Sequence, residues 1–309
     1  MTFRGTLSLV ALAFAGATAL PGPRPPESAS PERLRASMAS LRPLHAVMGR
    51  PRPGDWLALH PEPGQTFDQY LACGPTLPRG TRTVLYLQPV GAFTPAQRRV
   101  VDLTAEYLHV TFNRPVKVLP GLPEVLVPSK ARRRHPGEGQ LQFLTRFLRE
   151  GLLKPRLPAD GAAMLGLTAT DLWPGQGWSF VFGDASLQDR VGVWSLARLG
   201  DPSRSPEAFR QCLLRTIKTA GHETAHMFSF QHCTRYECTM AGSETLEEAD
   251  RYPLAFCPEC LAKLCWATET APPDHLRRMA GFCARNGLTA EEAYYRKALR
   301  ALSPRSPAA

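Results

Sequence analysis

The chain reads as an α/β protein in its upper half, followed by an irregular lower half. Three observations predict this. Compact apolar runs bounded by turn residues alternate with segments of helical period between Thr83 and Leu199. A long helix then starts at Pro206 and turns Phe209, Leu213, Ile217 and Ala220 inward before ending in histidines. Beyond it, periodicity gives way to closely spaced cysteines. The 309 residues suffice for one substantial domain with extensions, and a hydrophobic content of 43% supports a real core.

From the N-terminus, Met-Thr-Phe-Arg precedes an apolar run from Gly5 to Leu20 with small-residue triplets at Ala15-Gly16-Ala17 and Ala17-Thr18-Ala19. A basic start, a short apolar stretch and an A-x-A site describe a secretory signal over residues 1–19. A secreted or periplasmic protein is therefore expected; the alternative is a cytoplasmic protein that retains an apolar helix. The run is too short for a stable membrane span. Residues 20–55 are rich in Pro, Arg and Ser and read as a mobile segment, which leaves 56–309 for the folded domain.

Thr83 to Pro89 is a buried strand by composition, and Thr94-Pro95 opens a helix through about Leu108. Val116–Leu119 and Val125–Val127 continue the sheet. Gln140–Leu153 has the spacing of an amphipathic helix, with Leu141, Leu144, Leu148 and Leu152 on one face. Ala163–Thr168, Trp178–Phe182 and Val191–Leu199 are strand candidates. Thr289 with Glu292 reads as a capping box for a last helix from Ala290 to about Leu302.

The chemistry concentrates at the end of the helix from Pro206. His222 and His226 fall one turn apart on one helical face, so both imidazoles reach a single ion. Glu223 projects beside that ion without binding it. His232 follows six residues after His226, far enough for the chain to turn and return a third nitrogen. Three neutral nitrogens leave one corner of a tetrahedral Zn²⁺ open, which is the arrangement of a catalytic site. The expected chemistry is metal-activated water attacking a peptide carbonyl with Glu223 as general base. His222-Glu223-x-x-His226, then His232, then Met240 follow the metzincin pattern, in which the methionine forms an apolar floor beneath the metal. Where that pattern has glycine this chain has Ser229, and a left-handed turn there costs a residue with a Cβ about 1 kcal/mol.

Cys233, Cys238, Cys257 and Cys260 form C-x4-C and C-x2-C pairs suited to a second, structural zinc, with disulfides as the alternative in an exported protein. Cys212 is expected as a buried thiol, and the states of Cys73, Cys265 and Cys283 stay open.

With both patterns in place, the chain resembles the archaemetzincins, a metallopeptidase family within the metzincins. The resemblance rests on His222-Glu223-x-x-His226, His232-Cys233, Cys238-x-Met240 and Cys257-x-x-Cys260, with Tyr86-Leu87-Gln88-Pro89, Leu165-Gly166-Leu167-Thr168, Trp178-Ser179-Phe180 and Val191-Gly192-Val193 upstream. It covers about residues 80 to 265. It implies an upper subdomain with a mixed twisted sheet and two long helices, a cleft, and a small lower subdomain, from about 229, that bears the second zinc. It further implies that Val191–Leu199 is the edge strand on the cleft, with Val193, Trp194 and Ser195 pairing to an extended peptide or protein substrate.

Two rival readings stand beside this one. A gluzincin would replace His232 with Glu244 or Glu248 as third ligand. A non-catalytic zinc-stabilised binding module would use the cleft to hold a partner, and Ser229 is its support in the sequence. The formal charge of +10 suits an acidic partner, but the basic residues are dispersed and no aromatic-interleaved motif accompanies them, so nucleic-acid binding is not expected. Nothing signals oligomerisation, and a monomer is expected.

Overall fold

In the computed structural model, which describes residues 27–303, the apolar run after Thr83 forms β1 (Val84–Val90), buried along its whole length. The other strands are β2 (Val116–Val118), β3 (Arg132–Arg134), β4 (Leu141–Leu144), β5 (Gly161–Thr168), β6 (Asp171–Trp173), β7 (Gly183–Ala185) and β8 (Val191–Ser195). Five of them pair in the order β2-β1-β5-β8-β7, parallel except for β7, which runs antiparallel to β8 at one edge. β3, β4 and β6 form a smaller sheet.

The helices are α1 (Pro31–Leu41), α2 (Trp56–Leu59), α3 (Phe67–Ala72), α4 (Pro95–Phe112), α5 (Pro206–Met227), α6 (Leu246–Arg251), α7 (Pro258–Thr268), α8 (Pro272–Arg285) and α9 (Thr289–Leu302). Along β1, Leu85 and Leu87 join one apolar cluster while Val84 and Tyr86 join another, as the two-residue period of a strand requires. The first cluster takes in Val100, Val101 and Leu108 of α4 and Leu213 and Ile217 of α5. The second is closed by Phe143, Leu148 and Leu152. The two long helices touch where Gly221 of α5 meets Tyr107 of α4. A Cβ on Gly221 would lie 2.5 Å from the Tyr107 hydroxyl, so this close approach fixes the height of α5 one residue before His222. Among the described residues no helix is long and apolar enough to cross a membrane.

Residues 1–19, read as a secretory signal, lie outside the described residues. Several other expectations are corrected. The segment 20–55 was expected to be mobile, yet residues 31–41 form α1, capped by Ser30, with Leu34, Met38 and Leu41 buried in the main core. Proline at the first helical position starts this helix rather than breaking it. Gln140–Leu153 is not one helix: residues 141–144 form β4 and Phe147–Leu153 a π-helical turn. Leucines three and four apart suit either element over so short a run, and pairing with β3 and β6 decides for the strand. Val125–Val127 adds no strand, since Glu124–Leu126 is a 3-10 turn. Trp178–Phe182 is irregular but for a bridge from Val181 to Leu172, and the strand that follows, β7, was not anticipated. Thr289 is no cap: Leu288 holds that position and makes no side-chain cap bond.

Candidate metal centres

Ser205 starts α5 by accepting the Ala208 N–H, Pro206 follows at the first helical position, and the helix runs 22 residues to Met227. Its end is a Schellman turn: Ser229 N–H donates to the His226 carbonyl at 2.8 Å and Phe230 N–H to the Ala225 carbonyl at 3.1 Å. Ser229 sits at the left-handed position with φ +67°, where glycine is usual. Its hydroxyl accepts the Thr76 N–H at 3.1 Å and donates to the Leu187 carbonyl at 3.3 Å, which offsets the strain of that backbone. The turn thus forms with serine in place, and His232 comes back beside the helix.

One ring nitrogen each of His222, His226 and His232 lies within 4.8 Å of the other two. His222 Nδ1 bonds the Thr239 carbonyl at 2.8 Å and His226 Nδ1 the Phe230 carbonyl at 2.6 Å. A carbonyl only accepts, so both Nδ1 atoms carry the proton and both Nε2 atoms present lone pairs. Those two Nε2 atoms are 2.9 Å apart. Burial, then the neighbouring His232, push His222 down to about 3; burial, His222 and His232 push His226 well below the ordinary histidine value. Two neutral lone pairs facing each other at that distance repel, and a cation between them removes the repulsion. The donor set therefore fits a zinc ion.

The third imidazole is held differently. His232 Nδ1 lies 2.8 and 3.0 Å from the two carboxylate oxygens of Glu62, a residue 170 positions earlier in the chain. Trp56 Nε1 donates to the same carboxylate at 2.9 Å. Burial alone would raise Glu62, but the hydrogen bonds from His232 and Trp56 hold it below the usual carboxylate value. Sequence reading missed Glu62, and no periodicity or spacing in His60-Pro61-Glu62-Pro63-Gly64 marks it.

Glu223 is 7% exposed, one residue round the helix from His222. A Cβ at Gly183 would fall 2.5 Å from its Oε1, so β7 lies directly against the carboxylate. Burial, then the negative Asp184, push Glu223 well above the ordinary carboxylate range, and Arg149 opposes them. Asp184 is tied to Arg149 at 3.1 Å and to Thr145 at 2.5 Å, which braces β7 from behind. Gly183, Asp184, Glu223 and the three imidazoles line a cleft of about 700 Å³ that also takes in Trp178, Lys218 and Leu246.

Cys233, Cys238, Cys257 and Cys260 are all buried, and their sulfurs lie within 4.8 Å of one another. Four sulfurs about 2.3 Å from a shared centre stand about 3.8 Å apart on each edge of a tetrahedron. The Cys233–Cys257 distance is 3.7 Å. All eight cysteines are free thiols, including Cys73, Cys212, Cys265 and Cys283, so the disulfide alternative is set aside. Hydrogen bonds from Cys238, Cys257 and Cys260 pull Cys233 far below the ordinary thiol value. Burial pushes Cys257 well above it, and the bond to Cys233 does the same for Cys260. Four buried sulfurs at this spacing are a donor set that fits a divalent cation such as zinc.

Met240 is fully buried in the turn between the two clusters. Its N–H approaches Cys238 Sγ at 3.3 Å and its carbonyl accepts the Cys233 N–H at 2.7 Å. Glu248 is not near the imidazoles' ring nitrogens as a ligand: its buried carboxylate is taken by the Trp56 and Glu244 N–H groups and the Tyr252 hydroxyl. Glu244 instead faces His60 at 3.5 Å. The gluzincin alternative is corrected accordingly. So is the substrate edge. Val193, Trp194 and Ser195 are buried, and β8 is paired on both sides, by β5 and by β7. Gly183 and Asp184 are poor strand formers by composition, which hid β7 as the edge of the sheet.

Residues 153–265 match Peptidase family M54. The chain is 33% identical over 246 residues to human Archaemetzincin-2, an alignment covering 69% of this chain and 67% of that protein. It is 32% identical over 180 residues to the Archaemetzincin of Archaeoglobus fulgidus, covering 58% of this chain and 98% of that one. A crystal structure of Archaemetzincin from Methanopyrus kandleri aligns with 62% of this chain and 97% of its own, at 31% identity and a TM-score of 0.48. On the sequence match to the human relative and the family match across both clusters, this chain belongs to the archaemetzincins, the metallopeptidases of family M54.

Proposed function

We propose that the protein hydrolyses peptide bonds at a zinc ion held by His222, His226 and His232, with Glu223 as general base and a second, structural zinc held by Cys233, Cys238, Cys257 and Cys260. The observation that carries this is the pair of imidazole Nε2 atoms 2.9 Å apart with both Nδ1 atoms committed to carbonyls. Zinc at such a site acidifies a bound water to near neutrality and stabilises developing oxyanion charge. Everything else falls to the chain. Glu223, buried beside the ligands, takes a proton from the attacking water and returns it to the leaving amine. Gly183 leaves room for that carboxylate, and the Asp184–Arg149 pair keeps the strand carrying Gly183 in place.

β7 supplies the docking edge. Phe182 and Ser186 bond to β8, and antiparallel alternation turns the N–H and C=O groups of Gly183 and Ala185 away from the sheet. An extended peptide adds to that edge by main-chain bonds, replacing the role expected of Val193–Ser195. Two recesses flank the imidazoles along this line, the 700 Å³ cleft and a smaller one of about 310 Å³ bounded by Pro63, Leu187 and Gln231.

Metal analysis tests the assignment. Wild-type protein should hold two zinc ions, His226→Ala one, and Cys257→Ser should lose the thiolate-held ion. Glu223→Gln should keep both and lose about 10²–10⁴-fold in peptide cleavage. Unchanged cleavage in Glu223→Gln would remove Glu223 as general base, whereas no cleavage by wild-type protein holding both ions would favour the binding-module reading.

A further inference from the structure

We infer that Glu62 is a positioning residue for the third zinc ligand, and that the segment from Trp56 to Phe67 is built into the active site. This rests on the zinc reading of the three imidazoles and goes beyond it.

The three imidazoles are not supported alike. His222 and His226 are fixed by neutral backbone carbonyls, whereas His232 alone faces a carboxylate, in contact with both of its oxygens. His232 also differs in its footing, because it lies beyond the helix on the turn made by Ser229. A carboxylate behind an imidazole fixes the tautomer with Nε2 free, sets the ring orientation, and makes the ring a stronger donor. Trp56 completes the cradle: its indole nitrogen orients Glu62 at 2.9 Å, and its ring stands edge-on to His232 at 5.3 Å between centroids.

Such a brace works only if its own segment is anchored, and it is anchored by buried charges. Glu248, 1% exposed, accepts the Trp56 N–H at 3.0 Å. Glu259, 6% exposed, accepts the Phe67 N–H at 2.9 Å. Lys263 is fully buried, and its ammonium bonds the Gln65 carbonyl at 2.5 Å and the Gln65 side chain at 3.1 Å. A buried ammonium without acceptors is strongly disfavoured, so Lys263 and Gln65 require each other. Gln65 in turn donates to the Ser229 carbonyl at 3.3 Å and accepts the Gln231 N–H at 3.3 Å, bracketing the turn that returns His232. The segment therefore grips the third ligand from both sides.

The test uses the full chain loaded with Co²⁺ or Zn²⁺, as wild type, Glu62→Gln and Glu62→Ala. Affinity at the imidazole site is read by competition with a chromophoric chelator, and its geometry by the Co²⁺ d–d spectrum. Thiolate-to-cobalt charge-transfer bands report the cysteine site separately. Glu62→Ala should weaken the imidazole site about 10–100-fold, shift its d–d bands and leave the thiolate bands unchanged. Glu62→Gln keeps the shape and an acceptor oxygen but loses the charge, so its affinity should fall between the two. Wild-type affinity and spectrum in Glu62→Gln and Glu62→Ala alike would overturn the inference while leaving the zinc reading intact. Loss of both sites in Glu62→Ala, with Glu62→Gln matching wild type, would also overturn it. A wild-type protein that binds metal through thiolates alone would overturn both.

Discussion

Replacing Gly183 with alanine isolates the placement of Glu223 from every other property of the site. The backbone at 183 is not in the left-handed region, so alanine meets no conformational penalty there. Its Cβ would lie 2.5 Å from Glu223 Oε1 and 2.8 Å from both Cδ and Cγ. Ordinary contact begins at 3.4 Å, so the carboxylate or the strand must shift by 0.6 to 0.9 Å. The strand is braced by Asp184 on Arg149 and Thr145, which leaves the carboxylate as the group that gives way. A displacement of about 1 Å at a reacting group costs about 10²-fold in rate, or about 2.7 kcal/mol of barrier. Gly183→Ala should therefore lower kcat/KM on a cleavable internally quenched peptide about 100-fold while both zinc ions stay bound. In a Glu223→Gln background the same change should cost little more, because the two act through one carboxylate. Wild-type kcat/KM in Gly183→Ala, or full additivity in the double variant, would refute the reasoning.

Two further substitutions probe the scaffold. Ser229→Ala keeps the left-handed backbone cost and loses both hydroxyl hydrogen bonds, whereas Ser229→Gly loses the bonds but relieves about 1 kcal/mol of strain. Chemical denaturation should find the alanine variant less stable than the glycine variant by about that amount. Leu34→Ala empties a fully buried position on α1 and should cost about 2–5 kcal/mol, measured in the same way; a negligible loss would show that α1 is not part of the core.

The candidate metal centres were legible because their residues are close in sequence and chemically rare. His222, Glu223, His226, His232 and the four cysteines lie between 222 and 260, and the fold brings them together much as their spacing suggests. The long helices were legible too, through Thr94-Pro95 and Pro206 as start signals and the apolar spacing behind them. What failed has physical causes. α7 is buried on nearly every side, so it shows no polar stripe from which to read a helix. α8 did carry a signal, with Leu276, Met279, Ala280 and Cys283 at helical spacing behind Pro272, and it went unread. Glu62, Trp56 and Gly183 act on the site through tertiary contact alone. Their neighbours in sequence say nothing of His232 or Glu223, which lie 170 and 40 positions away.

The two clusters share backbone, and this makes their dependence one-sided. His232 is bonded directly to Cys233, and Thr239, whose carbonyl orients His222, follows Cys238. Two of the three imidazoles are thus positioned through residues adjacent to cysteines of the cluster, whereas His226 is oriented by the Phe230 carbonyl, which neighbours none of them. A metal held by the four sulfurs would turn binding energy into order in that shared segment. Cys257→Ser should therefore weaken metal binding at the imidazoles as well as at the sulfurs, although residue 257 touches no imidazole. His226→Ala should leave the sulfur site at wild-type affinity. Chelator competition on both variants separates the cases: equal independence of the two sites would mean that the shared backbone is rigid without its structural metal.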